Sequence, residues 1–140
     1  MGLILCATRG GEASYRTQQA AISLAKERGD EIVFIYIIDL RFLDKTAAPI
    51  VVDIESELEQ MGRFFLLMAK ERAMEQGVEA RTITRKGIVR DEIINAILDE
   101  GANLVVLGRP AGNQSAFQMS SLREFVDEIE RVTGAETVLV

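Results

Sequence analysis

Residues 103–121 read NLVVLGRPAGNQSAFQMSS, and they indicate the fold class more clearly than any other part of the sequence. A run of four apolar residues ends at Gly108, and a loop of small and polar residues that contains Gly112 leads to a predicted helix start at Ser121. A short, wholly apolar run is typical of a strand that is buried on both faces of a parallel sheet. A strand, a glycine loop and a helix N-terminus in that order can hold an anion, because backbone N–H groups and the helix dipole both point into the loop. The stretch therefore predicts an α/β fold with an anion-binding loop.

The composition indicates one globular domain with a negative net charge. The chain has 140 residues, and we expect them to form one domain over residues 1–140. A net charge of −6 argues against a nucleic acid partner, because phosphate backbones repel an acidic surface. Histidine is absent and cysteine occurs once, which excludes Cys/His zinc sites, intrachain disulfides and histidine-dependent catalysis. We therefore expect no bound metal and no catalytic residue.

The N-terminal segment indicates neither secretion nor membrane insertion. Its first residues, MGLILCATRGG, lack the basic region and the long apolar stretch of a secretory signal. No run in the chain reaches the roughly 20 apolar residues that a membrane-spanning helix needs. Cys6 lies in a short apolar run, where a buried structural thiol is expected. We expect a cytoplasmic protein that does not insert into membranes.

Apolar runs and helical periodicities alternate along the chain. The predicted strands are residues 3–8, 31–39, 80–85, 104–108 and 136–140. The predicted helices are residues 14–28, 54–76, 91–100 and a last helix that starts at Ser121, where Ser121 and Glu124 form a capping box. Residues 41–52, which include Pro49, are predicted to form an irregular loop. Strict alternation predicts an open parallel five-stranded sheet of order 3-2-1-4-5 with helices on both faces, a Rossmann-like α/β fold.

Each predicted helix carries apolar residues at helical spacing, and these are expected to face the sheet. In the first helix they are Thr17, Ala20, Ala21, Leu24 and Ala25, and in the second Leu58, Met61, Phe65, Met68, Ala69 and Ala73. In the third they are Ile93, Ile94, Ile97 and Leu98, and in the last Leu122, Phe125, Ile129 and Val132.

The predicted strand order also locates a ligand site. Strands 1 and 4 lie side by side at the point where the direction of the connections reverses. Ligands of open α/β sheets bind at such a point, outside the carboxyl ends of the strands. The two loops that meet there are residues 8–12 and 108–112.

With these elements in place, the chain resembles the universal stress protein (UspA-like) family along nearly its whole length. Three motifs carry the resemblance: CATRGGE at 6–12, YIID at 36–39 and ANLVVLG at 102–108. The resemblance implies an adenine nucleotide alpha-hydrolase-like fold and a homodimer that forms through the last strand, from Thr137 to Val140. An apolar strand at a sheet edge needs covering, which suits such a dimer.

Members of that family that bind nucleotides carry a phosphate loop of the form G-x-x-G followed, about nine residues later, by G-S or G-T. By this resemblance the site residues follow strands 1, 2 and 4 and the start of the last helix. They are Ala7, Thr8, Arg9, Ile37, Leu107, Gly108, Arg109, Ala111, Gly112, Ser120, Ser121 and Leu122. Ile37 and Leu107 correspond to the apolar walls of the base pocket, and Gly108 and Ser121 match the phosphate loop. The N–H groups of Ser121 and Leu122 are expected to be free at a helix start.

The same residues depart from the family pattern. Arg9 replaces the aspartate that faces the adenine side, and Ala111 and Ser120 replace two of the three glycines, with Gly112 one place late. Each replaced glycine places a Cβ where the backbone must approach a phosphate closely.

Two arginines accompany these departures. Arg9 and Arg109 can supply positive charge to an anion in place of backbone N–H groups. The other interpretation is an ion pair with Glu12, with Asp39 or with a partner subunit.

We therefore expect a homodimeric regulatory module of the stress response, without catalysis and with an incomplete nucleotide site. Two alternatives stay open. One is a switch that binds ATP or AMP, or a slow ATPase, with ATP and Mg²⁺ as cofactors. The other is a regulatory domain that docks on a larger partner, such as a transporter, through the loop at 41–52.

Overall fold

The computed structural model describes residues 2–9, 12–39, 48–109 and 115–140. Strands and helices alternate from one end of the chain to the other, as predicted. The elements are β1 Leu3–Ala7, α1 Glu12–Arg28, β2 Glu31–Ile38, α2 Ala48–Glu75, β3 Ala80–Lys86, α3 Val89–Glu100, β4 Leu104–Leu107, α4 Ser115–Thr133 and β5 Glu136–Leu139.

The five strands form one parallel sheet in the order β3-β2-β1-β4-β5, which confirms the predicted fold class. β1 is central: its Ile4 pairs with Ile32 of β2 on one side and with Leu104 of β4 on the other. β3 lies at one edge, where exposed and half-buried residues alternate from Thr82 to Lys86. This pattern follows from the period of two along a strand that has one wet face.

The sheet separates two apolar layers. Ile4 and Cys6 face the layer that α1 and α2 cover, whereas Leu3 and Leu5 face the layer that α3 and α4 cover. Because all four of these β1 residues are buried, the strand is apolar on both faces, as its sequence indicated.

The start of α2 corrects the sequence prediction. The helix begins at Ala48, so the loop predicted for residues 41–52 is wrong for residues 48–52, and residues 41–47 lie outside the described set. Pro49 is compatible with this start, because N–H groups in the first turn have no partner within the helix.

The start of α4 corrects a second prediction. The helix begins at Ser115 and not at Ser121, so the capping box of Ser121 and Glu124 is wrong. A capping box is a local signal, and residues 115–120 include Ala, Gln and Met, which favour a helix and extend it towards the N-terminus.

Most of the predicted helical core residues are buried or half-buried, but three are not. Met61, Leu98 and Val132 are exposed: Met61 and Leu98 lie at the margins of their apolar stripes, and Val132 lies in the last turn of α4. Conversely, Ile22 and Gln18 of α1 are fully buried, and neither was in the predicted face.

The single cysteine is buried, as predicted, and burial raises the pKa of the Cys6 thiol from 9.0 to about 12.

We expect thiol reagents to modify Cys6 only in molecules that have unfolded. The rate of modification, measured with and without urea, tests this expectation. The Cys6 thiol ionises at a lower pH in the unfolded chain than in the folded protein. The contribution of the buried neutral thiol to stability is therefore complete below about pH 9 and is lost as the pH rises towards 12. The free energy of unfolding should therefore fall more steeply across this range in wild type than in Cys6→Ala. Equal pH dependence of the two proteins would contradict the raised pKa of Cys6.

Candidate ligand crevice at the ends of β1 and β4

The direction of the chain connections reverses between β1 and β4. From β1 the chain proceeds through β2 towards the β3 edge, and from β4 it proceeds to β5 at the opposite edge. The residues that follow these two neighbouring strands, Thr8 to Arg9 and Gly108 to Arg109, border what we call the switch-point crevice. Its position is the one at which open α/β sheets bind ligands.

One wall of the crevice is apolar. Ala7, Ile37 and Leu107 lie at the carboxyl ends of three adjacent strands and belong to the same apolar layer, the one that α3 and α4 cover. Leu107 is buried and the other two are half-buried. The structure therefore brings the two predicted wall residues, Ile37 and Leu107, together with Ala7 on one face of the sheet.

Thr8 connects this end of the sheet to a series of hydrogen bonds between polar side chains. Its backbone N–H donates to the carbonyl oxygen of Ile35 at 3.0 Å, and its hydroxyl accepts a hydrogen bond of 2.7 Å from Nε2 of Gln18. Oε1 of Gln18 accepts from Nη1 of Arg72 at 2.5 Å, and the Arg72 guanidinium lies 4.1 Å from the centre of the Tyr15 ring. Because arginine can only donate, it fixes the orientation of the Gln18 amide and makes Thr8 the acceptor.

Gly108 has a packing role that involves no ligand. A Cβ at this position would lie 3.0 Å from Oγ1 of Thr17, a buried residue of α1. The glycine lets α1 approach the end of β4 closely. Its agreement with the family motif is therefore explained in part by the fold.

The two arginines of the crevice leave adjacent strands at equivalent positions. Cys6 pairs with Val106, and Arg9 and Arg109 each follow three residues later. Both side chains are exposed, and both backbones are held by hydrogen bonds. The Arg9 N–H donates to the Ser14 hydroxyl at 3.1 Å, and the Arg109 N–H donates to the carbonyl oxygen of Val140 at 2.9 Å. Two cations are thus presented at the same end of the sheet.

The helical part of the predicted site differs from expectation. Ser120, Ser121 and Leu122 lie inside α4, where their N–H groups face the preceding turn of the helix. The prediction that Ser121 and Leu122 offer free helix-start donors is therefore wrong. The orphan donors of α4 belong to its first four residues, from Ser115 onward.

Ser121 also accepts hydrogen bonds from an arginine that was not among the predicted site residues. Nη2 of Arg90, in the first turn of α3, donates to the Ser121 carbonyl oxygen at 2.9 Å and also to its hydroxyl. The guanidinium lies 5.3 Å from the centre of the Phe125 ring. The available signal was weak, because Arg90 is an isolated basic residue beside two acidic ones.

The remaining predicted residues, Ala111 and Gly112, lie outside the described residues. Two cavities formed by described residues lie elsewhere. One, of about 830 Å³, is at the amino ends of the strands and includes Gly2, Asp30 and Gly101. The other, of about 190 Å³, is lined by Glu59, Arg63, Thr84 and Lys86.

The described part of the chain contains no group of cysteine and acidic side chains placed to hold a metal ion. None of its helices is long and apolar enough to cross a membrane.

These features define an open-sheet α/β protein whose switch point lies between β1 and β4, the position at which open α/β sheets bind ligands. The model of the universal stress protein family matches residues 1–126. The chain belongs to the universal stress protein family. It is 30% identical over 113 residues to universal stress protein YxiE of Bacillus subtilis, which covers 75% of this chain and 76% of that protein.

Solved structures show the same fold. Universal stress protein UspA from Lactobacillus plantarum has a TM-score of 0.82 at 13% identity, covering 99% of this chain and 97% of that one. A universal stress protein in complex with cAMP has a TM-score of 0.73 at 17% identity, covering 99% and 96%. A family protein from Arabidopsis thaliana with AMP bound has a TM-score of 0.67 at 9% identity, covering 100% and 91%.

Proposed function

We propose that this protein is a non-catalytic regulatory module of the stress response whose crevice has lost the triphosphate site of its family. The observation that carries the proposal is the position of Ser121 inside α4, which begins at Ser115. The Ser121 N–H faces the preceding turn of the helix, and its hydroxyl and carbonyl oxygen accept from Arg90. A residue held in this way does not offer its N–H to a phosphate chain.

The absence of catalysis is supported by the chemistry of the crevice. The chain has no histidine. Apart from Asp39, which follows β2, the described side chains at this end of β1, β2 and β4 are apolar, as at Ile37, neutral, as at Thr8, or permanently cationic, as at Arg9 and Arg109. None of these types removes a proton from water near neutral pH.

The proposed assembly is a homodimer through the last strand, from Thr137 to Val140. β5 is an edge strand that pairs with β4 alone, and its apolar residues Val138 and Leu139 are half-buried in the single chain. A second strand would complete their burial and pair the open edge. A cytoplasmic location is part of this proposal.

A second candidate is binding of an adenine nucleotide with one phosphate. The apolar wall of Ala7, Ile37 and Leu107 is present, and Arg9 and Arg109 offer charge for one anion. Two proteins of the same fold have been solved with AMP and with cAMP. A single phosphate needs fewer donors than a triphosphate, so it tolerates the loss of the Ser121 N–H.

Thermal unfolding with each nucleotide separates these functions. At a ligand concentration ten times the dissociation constant, binding stabilises the folded state by about 1.4 kcal/mol, a rise of a few degrees in Tm. We expect Mg-ATP at millimolar concentration to leave the Tm unchanged. A rise with AMP or cAMP that Arg9→Glu abolishes would establish the second candidate. A larger rise with Mg-ATP than with AMP would overturn the main proposal.

A further inference from the structure

Arg90 is a half-buried cation, and no ion pair among the described residues includes it. It lies in the first turn of α3, which begins three residues after the end of β3 and therefore at the carboxyl end of the sheet. Of its acidic neighbours, Glu92 pairs with Arg85 at 3.7 Å, and Asp91 is exposed. Taking a cation out of water without a counter-charge costs free energy, so this side chain favours an anionic ligand beside it.

Two contacts hold the Arg90 guanidinium in place and leave most of its donors unused. Nη2 donates to the carbonyl oxygen of Ser121 at 2.9 Å and also to its hydroxyl, and the centre of the Phe125 ring lies 5.3 Å from the guanidinium carbon. The hydrogen bonds and the aromatic ring together restrict the rotation of the side chain. The N–H groups of Nη1 and Nε have no hydrogen-bond partner among the described residues. Such groups form strong, charge-assisted hydrogen bonds with phosphate oxygens.

Two further arginines lie at the same end of the sheet. Arg9 and Arg109 follow β1 and β4, their side chains are exposed, and the ion pairs of the described residues include neither of them. Arg90 therefore adds a third cation, from a third connection of the chain, to the end of the sheet at which the switch-point crevice lies.

We propose that Arg90 binds a single phosphate group through its Nη1 and Nε groups, while Ser121 and Phe125 hold its side chain in position. The ligand is inorganic phosphate or the phosphate monoester of a nucleotide, and only the nucleotide source rests on the second candidate of the proposed function. The planar N–H groups of an arginine match the oxygens of a phosphate in geometry as well as in charge. Mg-ATP is a poorer ligand for this site, because the metal ion already neutralises its terminal phosphates.

Calorimetric titration of the full chain with inorganic phosphate, at constant ionic strength, tests the site. We expect saturable binding of one phosphate per chain and a loss of affinity of about tenfold or more in Arg90→Gln. The matched control is Arg123→Gln, which removes the same charge from an exposed position on α4 and should bind phosphate as wild type does. The proposal is overturned if wild type binds no phosphate at tens of millimolar, or if Arg90→Gln binds it as tightly as Arg123→Gln does.

Nitrogen-15 NMR of wild-type protein tests the same contact without relying on a variant that folds. The Nε–H resonance of Arg90 should move as inorganic phosphate is added, whereas that of Arg123 should stay in place. Phosphate binding without any movement of the Arg90 resonance would overturn the assignment of the donors.

Titration with AMP distinguishes the two sources of the phosphate. If AMP binds more tightly than inorganic phosphate, the ligand is a nucleotide, and both Arg90→Gln and Arg9→Glu should weaken its binding. Equal affinities for the two, both reduced in Arg90→Gln, would assign the site to inorganic phosphate and contradict the second candidate function alone. AMP binding that Arg9→Glu abolishes and Arg90→Gln leaves unchanged would support that candidate and overturn the role of Arg90.

Discussion

Replacing Phe34 with alanine is expected to lower the free energy of unfolding by about 3–5 kcal/mol. Phe34 lies in β2, is fully buried, and is among the largest of the fully buried side chains of the described residues. Its removal leaves a cavity in the layer beneath α1 and α2, which a parallel sheet held on both sides cannot collapse to fill. Urea unfolding followed by circular dichroism measures the loss.

The chain contains its own control for this change. Phe64→Ala removes the same side chain from the exposed face of α2, where we expect a change within about 0.5 kcal/mol for the monomer. Comparable losses for the two variants would show that α2 packs on the sheet through a different face.

Replacing Gln18 with leucine is expected to lower the free energy of unfolding by about 1–3 kcal/mol, although the two side chains are similar in size. Gln18 is 2% exposed and is the only link that the described hydrogen bonds give between the Thr8 hydroxyl and Arg72. Leucine leaves the buried Thr8 oxygen without this donor. Arg72 is half-buried over Tyr15 and can turn towards water, so most of the cost arises at Thr8.

A double-mutant cycle isolates that cost. Thr8→Val removes the hydroxyl, so Thr8→Val combined with Gln18→Leu leaves no unpaired oxygen at this position. We expect the double variant to be more stable than the sum of the single changes predicts, by roughly 1 kcal/mol. Strict additivity would mean that the hydrogen bond between Gln18 and Thr8 does not contribute.

Sequence patterns predicted the sheet well because those patterns have a local cause. The apolar runs of β1, β2 and β4 mark strands that are covered on both faces, and the alternating run of β3 marks an edge. Once alternation with helices makes the sheet parallel, few strand orders are compatible with right-handed crossovers. The switch point between β1 and β4 follows from that order.

The polar interior of the site was not predictable in the same way. Gln18 is a polar residue in a helix, and nothing nearby in sequence indicates burial. Its partner Arg72 lies 54 residues further along the chain. Arg90 likewise reaches Ser121 across 31 residues. Such contacts depend on how α1 meets α2 and how α3 meets α4, which periodicity does not specify.

The predicted helix starts were wrong for a different reason. The Ser121 and Glu124 pair has the spacing of a cap, but the spacing alone does not require the helix to start there when helix-forming residues precede it. Met61 shows a corresponding limit in predicting which residues pack against the sheet. Its apolar character predicted a position in the core, whereas the structure leaves it 48% exposed on α2.

The early start of α4 places the N–H groups of Ser121 and Leu122 inside the helix, and we propose that the crevice has thereby lost its triphosphate site. Calorimetric titration of Mg-ATP into wild-type protein, first freed of bound small molecules, is the decisive test of this proposal. We expect no saturable heat of ATP binding up to millimolar nucleotide. Saturable binding of one ATP per chain, with a dissociation constant well below one millimolar, would contradict it.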